Sequence, residues 1–455
     1  MTTPTEQSAA APPNAGLRRQ VIKGSAFEMI SFGASQIVRF GSNLVLSRLL
    51  FPQAFGIVAI VNIVNQGLIM FSDVGSQAAV IQSEQGEEPR FLNTVFTWQA
   101  LRGVLLYCVA LALSWPLAAF YKEPQLKLLI PVGSLSVLVL GLHSTSTYTL
   151  RRRLTLAPLV TMELSAQVAA VVLMVTWARL HPSVWTLVAG TLVSALVTTG
   201  ISHMLRVGYR NRFSWDRASA RALFDFGKWI AGSSMLSFLG QQGDRLLLGR
   251  FLGTAALGVY SIAVFLSSAL GDAVQRVTQG VLFPAYSRVR PEGIARVREV
   301  YYQTRLAIDG LVVTALGGLT ALGGFVVHLL YDTRYAEAGW MLQVLSLRVA
   351  LNAIAAPCQF CLFALGETRQ GFMLNLARIV WLATAVPVGF NLAGVHGLVW
   401  AVALSELPTL FVLWPAFARL GLLRPSRELL APVCYGTGYA LGLGVLWLLS
   451  LAGLH

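Results

Sequence analysis

The chain has few charged residues, and few of the residue types that build metal or catalytic centres. Charged residues make up 12% of its 455 residues, and there are only 6 histidines and 4 cysteines. A water-soluble protein carries roughly 25% charged residues, so this composition excludes an ordinary soluble domain. The C-x-x-C pair Cys358 and Cys361 lies in an apolar stretch without a second pair, and we expect two small buried residues on one helix face.

Motifs of common enzyme and nucleotide-binding sites are missing as well. The sequence contains no GxxxxGK[ST] phosphate-binding loop, no zinc-binding HExxH and no GxSxG nucleophile elbow. The histidines form no cluster with ligand spacing, and the predicted outside loops are too short for a catalytic domain. We therefore predict that the protein is not an enzyme and has no metal or cofactor, which disfavours a membrane-embedded glycan polymerase or acyltransferase.

Apolar residues dominate the chain: 55% of it is hydrophobic and the mean hydropathy is +0.65. About 20 apolar helical residues cross the hydrocarbon core of a bilayer. The recurrence of stretches of this length predicts an all-α polytopic membrane protein. The predicted spans are 24–50, 54–81, 92–120, 126–149, 157–179, 183–205, 223–250, 255–286, 303–331, 338–365, 371–391, 394–418 and 429–453.

Lysine and arginine are concentrated in every second gap between these spans. With the N-terminus placed in the cytoplasm, 22 of the 34 lie in inside segments, 6 in outside loops and 6 within spans. Cytoplasmic loops of membrane proteins are enriched in these residues, and this bias sets the predicted orientation. Topology and attraction to anionic lipids also explain the net charge of +14, so no nucleic acid is expected as a partner.

A repeat relates the two halves of the chain at an offset of 202 residues. The segment SRLLFPQAFGIVAI (47–60) aligns with GRFLGTAALGVYSI (249–262), which pairs Gly56 with Gly258. Both copies enter the membrane from the same side, and transporters with such parallel repeats bind substrate between the halves. The predicted organisation is a disordered cytoplasmic tail 1–17, an N-terminal six-helix bundle 18–205, a cytoplasmic linker 206–222, a C-terminal six-helix bundle 223–419 and an additional transmembrane segment 420–455.

Polar side chains inside the spans are costly, and they usually face a cavity or a partner. Span 1 carries a polar stripe at helical spacing, formed by Glu28, Ser31, Ser35, Arg39 and Ser42. Span 7 carries a matching stripe, formed by Ser234, Ser237, Gln241 and then Asp244 or Arg245. Stripes on repeat-related helices predict that both helices face one water-accessible interior.

We name two sets of candidate residues from this pattern. A cationic substrate-binding cavity is predicted from Arg39, Arg245, Arg276, Arg348, Gln241 and Asn43. Coupling-ion sites are predicted from Asp73, Asp244, Asp272 and Asp309. Structural ion pairing is the alternative for the acids: Asp244 can neutralise Arg245, and Asp272 can bridge to Arg276 one turn further on.

Three stretches carry a family resemblance: SRLLFPQAFGIVAIVNIV with FSDVGSQAAVIQ (47–64 and 71–82), GDRLLLGRFLGTAALGVYSIA (243–263) and VLFPAYSRVR (281–290). In this order they resemble the Wzx-like polysaccharide exporters of the multidrug/oligosaccharidyl-lipid/polysaccharide (MOP) superfamily. The resemblance implies two parallel six-helix bundles around a central cavity, a MOP/MATE-like flippase fold, here with an extra C-terminal span.

The same resemblance implies a function and partners. The implied cargo is an undecaprenyl-diphosphate-linked oligosaccharide, an O-antigen or exopolysaccharide repeat unit, flipped from the cytoplasmic to the outer leaflet of the bacterial inner membrane. Membrane lipids and the polysaccharide polymerase or chain-length machinery are the other implied partners. The alternative is a multidrug cation antiporter of the same superfamily, driven by protons or sodium, but Arg39 and Arg348 would repel an organic cation.

Overall fold

The computed structural model describes residues 15–72, 75–205, 207, 209–367 and 369–452, and the described part is helical without a β-strand. The first half comprises α1 (Ala15–Leu49), α2 (Pro52–Phe71), α3 (Ser76–Gln82), α4 (Pro89–Tyr121), α5 (Leu126–Gly141), α6 (Ser146–Arg152), α7 (Ala157–Leu180) and α8 (Val184–Met204). The second half comprises α9 (Arg217–Val277), α10 (Phe283–Val289), α11 (Ile294–Ile308), α12 (Thr314–Leu330), α13 (Ala338–Leu365), α14 (Arg369–Ala403), α15 (Leu407–Arg419), α16 (Pro425–Glu428) and α17 (Leu430–Leu451). The predicted all-α class is confirmed.

Each predicted span corresponds to a helix, to a bent helix pair or to one side of a broken helix. Among the described residues, nine helical segments are long and apolar enough to cross a membrane, and the pair α5 and α6, bent by 60°, can serve as a tenth. Two of these segments each cover two predicted spans. Helix α1, which carries the first polar stripe, is not among them but has the length to cross.

Two breaks divide the long helices where the sequence predicts span boundaries. In α9 the backbone leaves the helical region at Gly253, with φ 79° and ψ 176°. In α14 it does so at Ala393 and Gly394, and Gly394 has φ 56° and ψ −133°. Residues with a Cβ rarely adopt a positive φ, so the two glycines allow the chain to turn without a loop.

The two halves meet where α2 crosses the part of α9 that follows Gly253. A Cβ added to Gly56 would lie 1.7 Å from the carbonyl oxygen of Thr254, and one added to Gly258 would lie 1.8 Å from that of Pro52. Pro52 and Thr254 are also 202 residues apart. Each half therefore places its glycine against the equivalent carbonyl oxygen of the other half, as at a two-fold axis. The residues that the repeat aligns are thus packed against each other.

The last membrane-length helix, α17, packs along α12 in the second half. A Cβ on Gly438 would lie 1.9 Å from the carbonyl oxygen of Thr314, so the two backbones are in direct contact. At the nearby end of α11, Arg305 is buried and forms ion pairs with Asp309 at 3.1 Å and with Glu428 at 2.5 Å. Small residues and a buried ion pair therefore hold the additional span to the second half.

The structure assigns part of the predicted tail and part of the predicted linker to helices. Helix α1 begins at Ala15, so residues 15–17 are helical, and the rest of the predicted tail lies outside the described residues. Helix α9 begins at Arg217 because the carboxylate of Asp216 accepts a hydrogen bond from the backbone N–H of Ser219 at 2.8 Å, which caps the helix. The last six residues of the predicted linker 206–222 therefore belong to this helix.

Candidate functional site

A pocket of about 410 Å³ lies between the two halves of the chain, and we call it the interface pocket. Helices α1, α2, α7 and α8 form most of its wall, and α9 supplies Arg245, Ser261 and Phe265. Arg39 and Asn43 face it from the polar stripe of α1. Three members of the predicted substrate-binding set therefore line one pocket at the junction of the halves.

The two arginines of the interface pocket have neutral partners. Arg39 donates a hydrogen bond from Nη1 to Oε1 of Gln36 at 3.2 Å, and its guanidinium lies 5.7 Å from the ring centre of Phe265. Arg245 donates from Nη1 to Oε1 of Gln242 at 3.1 Å. Within the described part of the chain, neither guanidinium forms an ion pair. Since a guanidinium has five N–H donors, both can bind a further acceptor.

A second cavity, of about 490 Å³, lies within the second half, and we call it the second-half cavity. Helices α9, α13 and α14 and the short 3-10 turn Leu404–Glu406 surround it. Its charged lining residues are Asp244, Arg245, Asp272, Arg348, Arg378 and Glu406. Arg245 thus lines both cavities, and the three guanidiniums of the second-half cavity are matched by three carboxylates.

Arg348 lines this cavity but is already paired. Its Nη1 lies 2.7 Å from Oδ2 of Asp244, which is 1% exposed. The same oxygen accepts a hydrogen bond from the hydroxyl of Tyr260 at 2.8 Å, and the backbone N–H of Arg245 donates to Oδ1. Arg348 has no acidic neighbour in sequence, yet a carboxylate 104 residues away forms an ion pair with it. Asp244 forms its direct ion pair with Arg348, and it also interacts electrostatically with Arg245, as considered from the sequence.

Arg276 and Asp272 lie one helical turn apart but line different spaces. The Arg276 guanidinium lies 4.2 Å from the ring centre of Phe32. It lines an opening of about 250 Å³ beside Ser31 and Glu163 and another of about 510 Å³ beside Phe32. Asp272 faces the second-half cavity. It forms no direct hydrogen bond or ion pair within the described residues, but it interacts electrostatically with Arg39, Arg276 and Arg245. The four predicted arginines therefore do not line one space, because Arg276 lines neither the interface pocket nor the second-half cavity and Arg348 lines only the latter.

The remaining predicted residues fall in different places. Gln241 lines the second-half cavity, whereas Asn43 lines the interface pocket and accepts a hydrogen bond from the Tyr331 hydroxyl at 2.6 Å. Asp309 is buried in the ion-pair cluster with Arg305, away from both cavities. Asp73 lies outside the described residues.

One end of the interface between the halves is closed by contacts from the loop between α12 and α13. Besides the bond from Tyr331 to Asn43, the Tyr335 hydroxyl donates to the carbonyl oxygen of Leu50 at 3.2 Å. Arg334 donates to the carbonyl oxygen of Arg48 at 3.2 Å. We call Tyr331, Arg334 and Tyr335 the latch, since these side chains tie the second half to the end of α1.

Two features of the site escaped the sequence analysis. Arg378 and Glu406 form a second ion pair at 2.7 Å beside the second-half cavity, although Arg378 is close enough to a helix end to reach the lipid surface in principle. Amide side chains also gather in this cavity, among them Asn352 and Asn375. The sequence shows amide residues within the apolar spans, but their convergence on one cavity depends on how three helices pack.

Comparison with known proteins finds similarity to polysaccharide biosynthesis proteins. A family model described as "Polysaccharide biosynthesis protein" matches residues 45–340. The succinoglycan biosynthesis transport protein ExoT of Rhizobium meliloti is 27% identical, over 88% of this chain and 80% of its own. The lipopolysaccharide biosynthesis protein WzxC of Escherichia coli is 22% identical, over 86% and 79%.

Solved structures show the same fold at low sequence identity. The lipid II flippase MurJ in an inward closed conformation superposes with a TM-score of 0.74, at 11% identity, over 93% of this chain and 92% of its own. An inward-facing multidrug resistance MATE transporter of the MOP superfamily superposes with a TM-score of 0.66, at 12% identity, over 85% and 94%. The chain therefore has the fold of these two transporters, which confirms the fold predicted from the sequence.

Proposed function

The chain belongs to the polysaccharide biosynthesis protein family whose model matches residues 45–340, and we propose that it is a flippase for a lipid-linked oligosaccharide. The proposed cargo is an undecaprenyl-diphosphate-linked repeat unit of an O-antigen or exopolysaccharide. The protein moves it from the cytoplasmic to the outer leaflet of the bacterial inner membrane by alternating access. The relatives in succinoglycan and lipopolysaccharide biosynthesis support this cargo.

The observation that carries the proposal is the pair of available guanidiniums in the interface pocket. A lipid diphosphate bears about two negative charges, and Arg39 and Arg245 face the same pocket without a direct salt bridge to a carboxylate among the described residues. Guanidinium binds phosphate through two parallel hydrogen bonds. The sugar hydroxyls would each lose several kcal/mol in hydrocarbon, so a polar pocket between the halves lowers the barrier to crossing.

In the proposed orientation the N-terminus is cytoplasmic, following the distribution of lysine and arginine. The latch then lies on the outer side, and the interface pocket receives cargo from the cytoplasm. The lipid tail stays in the bilayer while the headgroup enters. On the outer side, a polysaccharide polymerase with its chain-length machinery takes up the flipped repeat unit.

The membrane potential supplies a direction for this transport. Moving two negative charges outward across an inside-negative membrane gains about 4–5 kcal/mol per 100 mV. If an ion contributes as well, Asp272 is the proposed coupling residue, because it faces the second-half cavity without a direct hydrogen bond or ion pair among the described residues. Asp244 and Asp309 are less suited because arginines hold both carboxylates.

Replacing the two arginines tests the proposal. In a strain that depends on this protein, Arg39→Ala and Arg245→Ala should each lower surface polysaccharide about tenfold at normal protein levels, since a hydrogen bond to a charged group contributes about 1.5–3 kcal/mol. Lipid-linked repeat units should accumulate in the cytoplasmic leaflet. Arg179→Ala, at the exposed end of α7, is the matched control and should leave export unchanged.

Normal export by both variants would exclude a role for the interface pocket in binding the cargo. The competing function, a multidrug cation antiporter, makes a different prediction. Deletion of the gene would then sensitise cells to toxic organic cations and leave surface polysaccharide intact. Removing either arginine would improve cation transport, because it removes a repulsive charge.

A further inference from the structure

We infer that the second-half cavity is a carbohydrate subsite, which binds uncharged, hydroxyl-rich sugars of the cargo while the interface pocket binds its diphosphate. This inference rests on the proposed flippase function. It assigns the two ends of the headgroup to two spaces of different chemistry. The two spaces share one side chain, that of Arg245.

The first ground is the electrostatic balance of the second-half cavity. Its guanidiniums and carboxylates are equal in number, and two ion pairs, Arg348 with Asp244 and Arg378 with Glu406, are closed at 2.7 Å. At Arg348 and Arg378 an anionic ligand would have to displace a carboxylate, which is costly because it leaves a charge uncompensated. Only Arg245, at the boundary with the interface pocket, lacks a direct ion pair among the described residues. The cavity is therefore matched to a polar ligand without net charge.

The second ground is the type of uncharged residue in its wall. Seven amide side chains and three serines line the cavity. An amide offers both a carbonyl acceptor and N–H donors, and a hydroxyl both donates and accepts, so this lining suits the hydroxyl groups of a sugar. Uncharged polar groups are unfavourable in a membrane protein interior unless they have partners, and a bound sugar would supply them.

The third ground is that part of this lining is held in place and part is free. Gln279 donates to Gln275 at 3.5 Å, and Gln275 donates to Asn352 at 3.3 Å, which connects α9 and the turn after it to α13. Gln241 and Gln359 line the same space without a side-chain hydrogen bond in the described part of the chain. A connected amide row beside free amides provides a fixed surface together with open donors and acceptors.

Size and position agree with a sugar ligand. Small-molecule sites enclose about 300–1,000 Å³, and the cavity encloses about 490 Å³. In the proposed cargo the first sugar is bonded directly to the diphosphate, so the two subsites have to be adjacent. Arg245 meets this requirement, because it lines both spaces.

Binding measurements with two probes test the assignment on the purified full-length protein in lipid nanodiscs. One probe is undecaprenyl diphosphate without sugars, and the other is the lipid-linked repeat unit extracted from a strain in which the gene is deleted. The wild type should bind the glycosylated lipid at least about tenfold more tightly. Gln275→Leu and Asn352→Leu should remove most of this difference and leave binding of undecaprenyl diphosphate unchanged, which also shows that the variants are folded.

The variants Arg39→Ala and Gln303→Leu complete the design. Arg39→Ala should weaken both probes, whereas Gln303→Leu, an exposed amide on α11 outside the cavity, should affect neither. Equal affinity of the wild type for the two lipids, or equal weakening of both by the amide variants, would overturn the carbohydrate subsite and leave the flippase intact. Failure of the wild type to bind either lipid would instead contradict the proposed function itself.

Discussion

Gly56 and Gly258, which occupy equivalent positions in the two halves of the chain, lie against each other in the structure. An added Cβ on either would come within 2 Å of a backbone carbonyl oxygen of the other half. Contacts of this kind let helix backbones approach closely inside a membrane. The junction between the halves is therefore built from main-chain atoms.

Alanine at either position should weaken this junction. Gly56→Ala and Gly258→Ala force the helices apart, and overpacking of this kind costs about 1–3 kcal/mol or more. Thermal unfolding of the purified protein should show a lower midpoint for both variants. Gly200→Ala is the matched control, because a Cβ there meets no atom within 4 Å. An unchanged midpoint for the two variants would mean that the helices do not cross at these residues.

The ion pair between Arg348 and Asp244 should stabilise the second half. Breaking a buried pair from one side costs about 3–5 kcal/mol, since it leaves a buried charge unpaired. Asp244→Asn and Arg348→Gln should each destabilise the protein, and the double variant should recover part of the loss. Glu87→Gln in the pair with Arg153 is the control, because both side chains are more than 40% exposed and the expected cost is below about 1 kcal/mol. Additive losses in the double variant would contradict the pairing.

The ion pair between Arg305 and Glu428 should hold the last span in place. Glu428→Gln removes one of the two carboxylates around the buried guanidinium, and it weakens the connection between α16 and α11. Hydrogen exchange in residues 425–435 should become faster, while exchange in the first half stays the same. Glu292→Gln, in an exposed ion pair with Arg296, should leave exchange unchanged. Unaltered protection of α17 in Glu428→Gln would show that its packing on α12 is sufficient.

Removing the latch should favour the conformation that is open at its end of the interface. Tyr331→Phe with Tyr335→Phe deletes two hydrogen bonds to α1 and its carboxyl end and keeps the aromatic rings. A cysteine placed at Asn62, in the wall of the interface pocket, should then react faster with a membrane-impermeant thiol reagent added outside. The background replaces the four native cysteines. Tyr439→Phe, on the exposed face of α17, should not change the rate.

Slower labelling in the latch variant would contradict the proposed position of the latch. It would indicate either that the latch end faces the cytoplasm or that the hydrogen bonds form only in the open conformation. Adding the reagent to inside-out vesicles distinguishes these two cases.

Most of the fold could be predicted because span length and charge distribution are local properties of the sequence. The break at Gly253 falls between the predicted spans 7 and 8, and the repeat that aligns Gly56 with Gly258 relates residues that do pack together. Both inferences use information within one helix or between two similar ones. The element boundaries were less accurate at Ala15 and Arg217, since capping and helix continuation there depend on single residues.

The site was less predictable because it depends on which side chains meet across helices. Arg348 has no acidic neighbour in sequence, yet Asp244 lies 2.7 Å from it once α9 and α13 are packed. Arg378 likewise forms an ion pair with Glu406, which lies beyond the break in α14. Counting the arginines in the sequence therefore overestimates the positive charge that a ligand would meet. In the interface pocket, the guanidiniums without a direct ion pair among the described residues are those of Arg39 and Arg245.

The cluster around Arg305 bears on how the chain is made. Arg305 is synthesised 123 residues before Glu428, and Asp309, one helical turn away, is available as soon as α11 forms. Asp309 can pair with Arg305 while the helix inserts into the membrane. Glu428 can pair with Arg305 only when the last helices have docked. A nascent chain is thus kept close to neutrality at this point from the start. Until synthesis has delivered α16 and α17, the Arg305–Asp309 pair at the end of α11 and the small-residue face of α12 remain uncovered.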